Sequence, residues 1–191
     1  IVALDTNGLL RKFALDVRES VPAAWGIDFL MVHATHNHEG PDTQGRWGRG
    51  LFSSGIDPDY MAKFKRSTLE AVEAAISNLE PAEVSIARIS ANPRTPIKDK
   101  RKPIVIDDHI RALLFRRPDQ SIIRTLVNFD VHVELAWDKN LLLTSDIAGY
   151  LRRGISRGIY YHEELRLPGL GGTTLWLTVN IGGLMTSGPN D

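Results

Sequence analysis

The chain has no cysteine among its 191 residues. That absence excludes thiol nucleophiles, thiolate zinc sites and disulfides together. Any metal must be held by His, Asp, Glu or Tyr. An excess of one charge sign is also missing, since 23 basic residues face 23 acidic ones. A neutral total gives no reason to expect nucleic acid as a partner. No apolar run approaches the length of a membrane span. There is no internal repeat, no low-complexity tract and no signal peptide ahead of Ile1. Ile1 to Asp5 already reads as a strand, and Ser187 to Asp191 as a turn just after one, so both ends read as cut from something larger.

What is present is ordinary globular composition, 42% hydrophobic and 24% charged. The length suits one well-buried domain over 1–191. Strands and helices alternate. A strand at 1–5 leads to a helix near 9–20, with Leu10, Phe13, Ala14 and Val17 at helical spacing. A strand at 28–35 leads into a long glycine-rich loop through Gly45, Gly48, Gly50 and Gly55. The clearest helix runs from 58 to 80. Asp57 is its N-cap, Pro58 its first residue and Pro81 its stop. Strands follow at 83–89, 111–116 and 121–135, the last two joined by a turn at Arg117-Pro118-Asp119-Gln120. Between the first two lies a solvated Lys/Arg-rich loop. A helix at 145–158 and a strand at 173–181 complete an α/β arrangement, a layered mixed sheet flanked by helices, read as part of a larger catalytic domain.

Three of the six histidines fall in His33-Ala34-Thr35-His36-Asn37-His38-Glu39-Gly40-Pro41-Asp42. If the extended chain persists, side-chain alternation puts Leu30, Val32, Ala34, His36 and His38 on one face. His33 then points away with the core residues, as a structural histidine. His36 and His38 are the paired candidates for a metal site at a strand end. A second constellation is Asn128, Asp130, His132 and Glu134 on one face of the 121–135 strand. It reads either as plain solvent exposure or as a set of donors, acceptors and metal ligands. Asp146 stands where a helix starts, as an N-cap or as a carboxylate orienting a ligand histidine. The metallo-β-lactamase pattern fails, because Gly40 and Pro41 stand where its Asp and His belong. The zincin pattern His-Glu-x-x-His is absent.

Ala34 to Pro41 resembles the Ala-Thr-His-Thr-His-Ser-Gly-Pro signature of the neutral/alkaline, non-lysosomal ceramidases. Later segments agree in order. Asn92-Pro93-Arg94-Thr95-Pro96 resembles the family's Asn-Arg-Ser-Pro. Val127 to His132 is similar to its Asn-Phe-x-x-His, and Ser145 to Tyr150 to its Gly-Asp-x-x-Gly-Tyr. The resemblance implies a zinc hydrolase cleaving the N-acyl amide of ceramide, with His36 and His132 on the metal. His38 and Arg94 then belong to the site as catalytic neighbours, Arg94 steadying an oxyanion or head group. The remaining ligands, a Glu and a Tyr, are implied beyond residue 191. The resemblance further implies a lipid-like or N-acyl substrate, peripheral membrane contact, the remainder of the same protein as partner, and a secreted or periplasmic location. The sequence departs from the family at Glu39, which replaces Ser. It departs again at Gly182 to Pro189, where the family's Gly-Asp-x-Ser-Pro-Asn has lost its serine and Thr186 and Ser187 are the nearest hydroxyls.

Overall fold

A computed structural model describes residues 1–50, 52–90, 102–134 and 140–156. The expected strand at 173–181, and the segment holding Thr186 and Ser187, lie outside the described residues, as do Arg94 and Trp137-Asp138-Lys139. The elements in order are β1 (Val2–Leu4), α1 (Arg11–Glu19), a 3-10 turn at Ala23–Trp25, β2 (Val32–Ala34), α2 (Pro58–Ser77), β3 (Glu83–Ser90), β4 (His109–Arg116), β5 (Ile122–Phe129) and α3 (Asp146–Ser156). The fold is α/β: strands and helices alternate as far as α2, then β3, β4 and β5 follow one another, and the strands are divided between two sheets. The described residues divide between two compact units, the first drawn from 1–80 and 133–148 and the second from 81–132 and 149–156.

In the first unit β1 and β2 pair in parallel, Val2 with Val32 and Leu4 with Ala34. Parallel neighbours need a crossover, which α1 supplies. Val2, Leu4, Leu30 and Val32 pack with Val17 of α1 and with Phe64 and Val72 of α2 into one apolar core. The α2 start is as its sequence indicates. The Asp57 carboxylate accepts from the N–H groups of Asp59 (2.9 Å) and Tyr60 (3.1 Å), and Pro58 needs no partner there. The helix ends at Ser77, before Pro81, and Leu79 is left exposed instead of completing the apolar stripe.

The strand expected at 28–35 is only Val32–Ala34. Alternation holds, since Leu30 and Val32 are buried while Phe29 and Met31 are exposed. The core therefore lies on the Leu30 side, and the face shared by Phe29, Met31 and His33 is the open one, contrary to expectation. β2 stops where β1, its partner among the described residues, stops: Thr35 N–H still donates to Leu4 O (2.9 Å), and the next residue, His36, has φ 66°.

The second unit is an antiparallel sheet in the order β3-β4-β5. Ile110, Ala112 and Leu114 alternate inward on its central strand. The turn between β4 and β5 falls at the expected place and is closed by Arg117 N–H to Ser121 O at 2.9 Å. The strand expected at 121–135 ends at Phe129. The ladder with β4 ends at the pair Ile110–Phe129, one residue inside the start of β4, and Val131 N–H turns back onto Phe129 O at 3.1 Å.

Candidate metal centre

Both parallel strands run out at the same edge, and polar residues follow each: Asp5-Thr6-Asn7 after β1, and Thr35 to Glu39 after β2. Loops at the carboxyl ends of parallel strands commonly carry binding groups. Here they are tied together. Thr35 Oγ1 donates to Asp5 Oδ1 (3.1 Å). Thr43 Oγ1 donates to Gly8 O (2.6 Å), so its 2.7 Å bond to Thr6 Oγ1 is donated by Thr6. Gly40 passes so close that a Cβ there would sit 3.3 Å from Asp5 O.

The two candidate histidines meet, but through a turn and not through an extended strand. His36 takes the left-handed conformation that a side chain adopts only at some cost. Asn37 between them is buried. Its amide donates to Thr144 O (2.6 Å) and its Oδ1 accepts from Glu39 N–H (2.9 Å). With Asn37 anchored inward, the flanking imidazoles turn to one side. Their rings stand perpendicular, centroids 4.9 Å apart, with Nε2 facing Nε2 at 3.4 Å.

The hydrogen bond at 2.7 Å between His36 Nδ1 and Asn7 O fixes the tautomer of His36. A carbonyl only accepts, so Nδ1 carries the proton and Nε2 of the neutral ring carries the lone pair. His38 Nδ1 faces Glu134 Oε1 at 3.7 Å, an ion-pair distance. The pair is of a kind that could hold a metal ion. His132 belongs to the second unit.

A second group of this kind is Asp107, Asp108 and His109. His109 Nδ1 lies 3.3 Å from Asp107 and 3.1 Å from Asp108. Arg88 donates to His109 Nε2 (2.9 Å) and Arg111 pairs with Asp107 (2.8 Å). The His109 backbone N–H, and then Arg111, hold the Asp107 carboxyl below its ordinary value. Guanidinium groups thus supply the positive charge that a cation would bring.

Among the other expected site residues, His33 is half-buried, with Nδ1 bonded to Ala34 O at 3.2 Å, apart from the histidine group. Asp146 opens α3 and caps the N–H of Ile147. Asp130 is exposed. Sequence reasoning missed Asn7, whose contribution is a backbone carbonyl and so leaves no side-chain signal. It also missed Asn37. Asn140 donates to the Glu39 carboxylate and ties down the residue after His38.

Asp42 anchors the glycine-rich loop. Its carboxylate accepts from the N–H groups of Gln44 (2.9 Å), Gly45 (2.8 Å) and Trp47 (2.9 Å). Burial pushes its pKa up, but bonds from Trp47, Gln44, Gly45 and Arg46 outweigh this and hold it below 3.8. A depressed folded value means the stabilisation is present above the unfolded pKa and is lost as pH falls through the folded one. Below about pH 4 the loop is expected to open, with amide protection at Gln44, Gly45 and Trp47 falling. In Asp42→Asn that acid step disappears. Hydrogen exchange between pH 3 and 7 checks this; identical profiles for the two proteins would remove Asp42 from the role.

No family model, curated protein or solved structure matches the chain. Among the described residues, no helix is long and apolar enough to cross a membrane.

Proposed function

We propose that the chain carries the metal centre of a zinc-dependent amide hydrolase of the ceramidase type. The observation that supports this reading is the meeting of His36 Nε2 and His38 Nε2 at 3.4 Å. Two ligands about 2.0–2.1 Å from a tetrahedral zinc stand roughly 3.3–3.4 Å apart, so the pair already has the spacing of one ligand edge. His132, from the resemblance, is the further ligand of this chain. Bound zinc supplies Lewis-acid polarisation of a carbonyl and acidifies water.

The chain's own groups have separate tasks. The Asn7 carbonyl holds the His36 ring, and Glu134 faces His38. Arg94, from the resemblance, steadies an oxyanion or head group. An N-acyl lipid-like substrate, contact with a membrane surface, a secreted or periplasmic location and completion of the site by the remainder of the protein belong to the same proposal. A second reading keeps the metal centre and changes the substrate to another amide or ester. Glu39 favours it, because a carboxylate held by Asn140 stands where ceramidases have a serine.

The test is a substrate panel of ceramide, short N-acyl amides and short esters, run with zinc-loaded and chelated protein. Expected is hydrolysis of an N-acyl amide that falls at least ~100-fold on chelation and returns with one equivalent of zinc. Turnover of the small substrates without ceramide cleavage selects the second reading. No turnover by zinc-loaded protein, or turnover indifferent to the chelator, overturns both.

A further inference from the structure

We propose that Leu141-Leu142-Leu143 is a membrane-docking loop, which enters the apolar layer of an uncharged lipid surface beside the turn that carries His36 and His38. This role rests on the lipid-substrate reading above and deepens it, by naming the element that meets the surface.

The three leucines are exposed by 94, 72 and 76%. Apolar side chains exposed singly are ordinary, but three in succession make a continuous patch. Consecutive side chains leave the backbone in different directions. A groove on a protein partner would take one or two of them and leave the rest in water. A fluid apolar layer takes all three. Residues 140–145 carry no charge, so the segment itself does not call for an anionic headgroup.

The backbone is prepared for such a medium. An apolar layer offers no hydrogen bonds, so a polar group carried into it must already be paired. Asn140 does this for the central leucine. Its Nδ2 donates to Leu142 O (2.6 Å), and its Oδ1 accepts from Leu142 N–H (3.2 Å). The same Nδ2 also donates to the Glu39 carboxylate. At the other end of the run, Thr144 O accepts from Asn37 (2.6 Å) and Thr144 Oγ1 accepts from Asp146 N–H (3.1 Å). The leucines therefore stand on a base bonded at both ends to the residues that flank His38, all within the first unit.

The test uses the full chain and vesicles of pure phosphatidylcholine, without metal or substrate, so it can fail separately from the hydrolase reading. The unaltered chain is expected to sediment with the vesicles. Leu142→Ser should lower the partition coefficient about tenfold, and Leu141→Ser, Leu142→Ser and Leu143→Ser combined at least ~100-fold. High salt should leave these results unchanged, because neither the segment nor the surface carries net charge. The substituted side chains are exposed, so the variants should melt as the unaltered chain does, which verifies their folding. Because the chain has no cysteine, Leu142→Cys accepts a single environment-sensitive dye, whose emission should shift to the blue on binding. Absence of binding by the unaltered chain, or binding kept by the triple variant, overturns the proposal. So does a dye that stays in water while the chain is bound. Self-association abolished in the triple variant, with no vesicle binding, overturns it in favour of a second copy of this chain. Leucine-dependent vesicle binding by a chain that neither holds zinc nor hydrolyses the substrate panel upholds the docking loop and removes the hydrolase reading.

Discussion

A His36→Ala chain is expected to retain less than about a tenth of an equivalent of zinc where the unaltered chain holds close to one, because losing one of the two proposed histidine ligands leaves the site short of the usual ligand count. Hydrolysis should fall with it, by at least ~1,000-fold, since metal assistance is worth several kcal/mol. The fold should not suffer in proportion. His36 is exposed, so its removal opens no cavity. One local effect remains. At φ 66° alanine keeps the strain of the left-handed conformation, whereas His36→Gly relieves it. The two variants should therefore lose metal equally while the glycine form melts at the higher temperature. Metal analysis with thermal denaturation reads both outcomes. Stoichiometric zinc in either variant would remove His36 from the centre.

The largest stability effect is expected at Phe64. Its ring is buried between Phe13, 5.4 Å away, and Tyr60, 5.6 Å away, both near parallel to it. It closes the α2 side of the core that also holds Leu4 and Val32, on the two strands that lead into the histidine site. Burial of the same cluster raises the Tyr60 phenol above its ordinary pKa of 10.0. Phe64→Ala should cost about 3–5 kcal/mol, from lost transfer energy and an uncollapsed cavity. Against a net stability of about 5–15 kcal/mol, that is enough to populate unfolded chain. Phe64→Leu should cost far less, because most of the volume is kept. Urea unfolding of the three proteins measures the difference. A cost below about 1 kcal/mol for alanine would mean that α2 does not seal this core.

Elements with a strong local code were legible in the sequence. The Asp57-Pro58 start of α2 and the Arg117 to Gln120 turn depend on capping and turn chemistry within a few residues. Both stand where they were expected. Strand lengths were not legible, because a strand lasts only as long as its neighbour. β2 ends where β1 does, at Ala34, and β5 where its ladder with β4 does, at Phe129. At the site, His36 and His38 do meet, but not for the expected reason. Alternation along an extended strand does not bring the pair together. A left-handed residue and a buried asparagine do so. A carbonyl such as that of Asn7 cannot be read from residue identity at all.

Asn37 donates to Thr144 O from 107 positions earlier in the chain. The turn that carries His36 and His38 is therefore finished only when that later segment arrives, so its order would lag behind that of the core on which it stands.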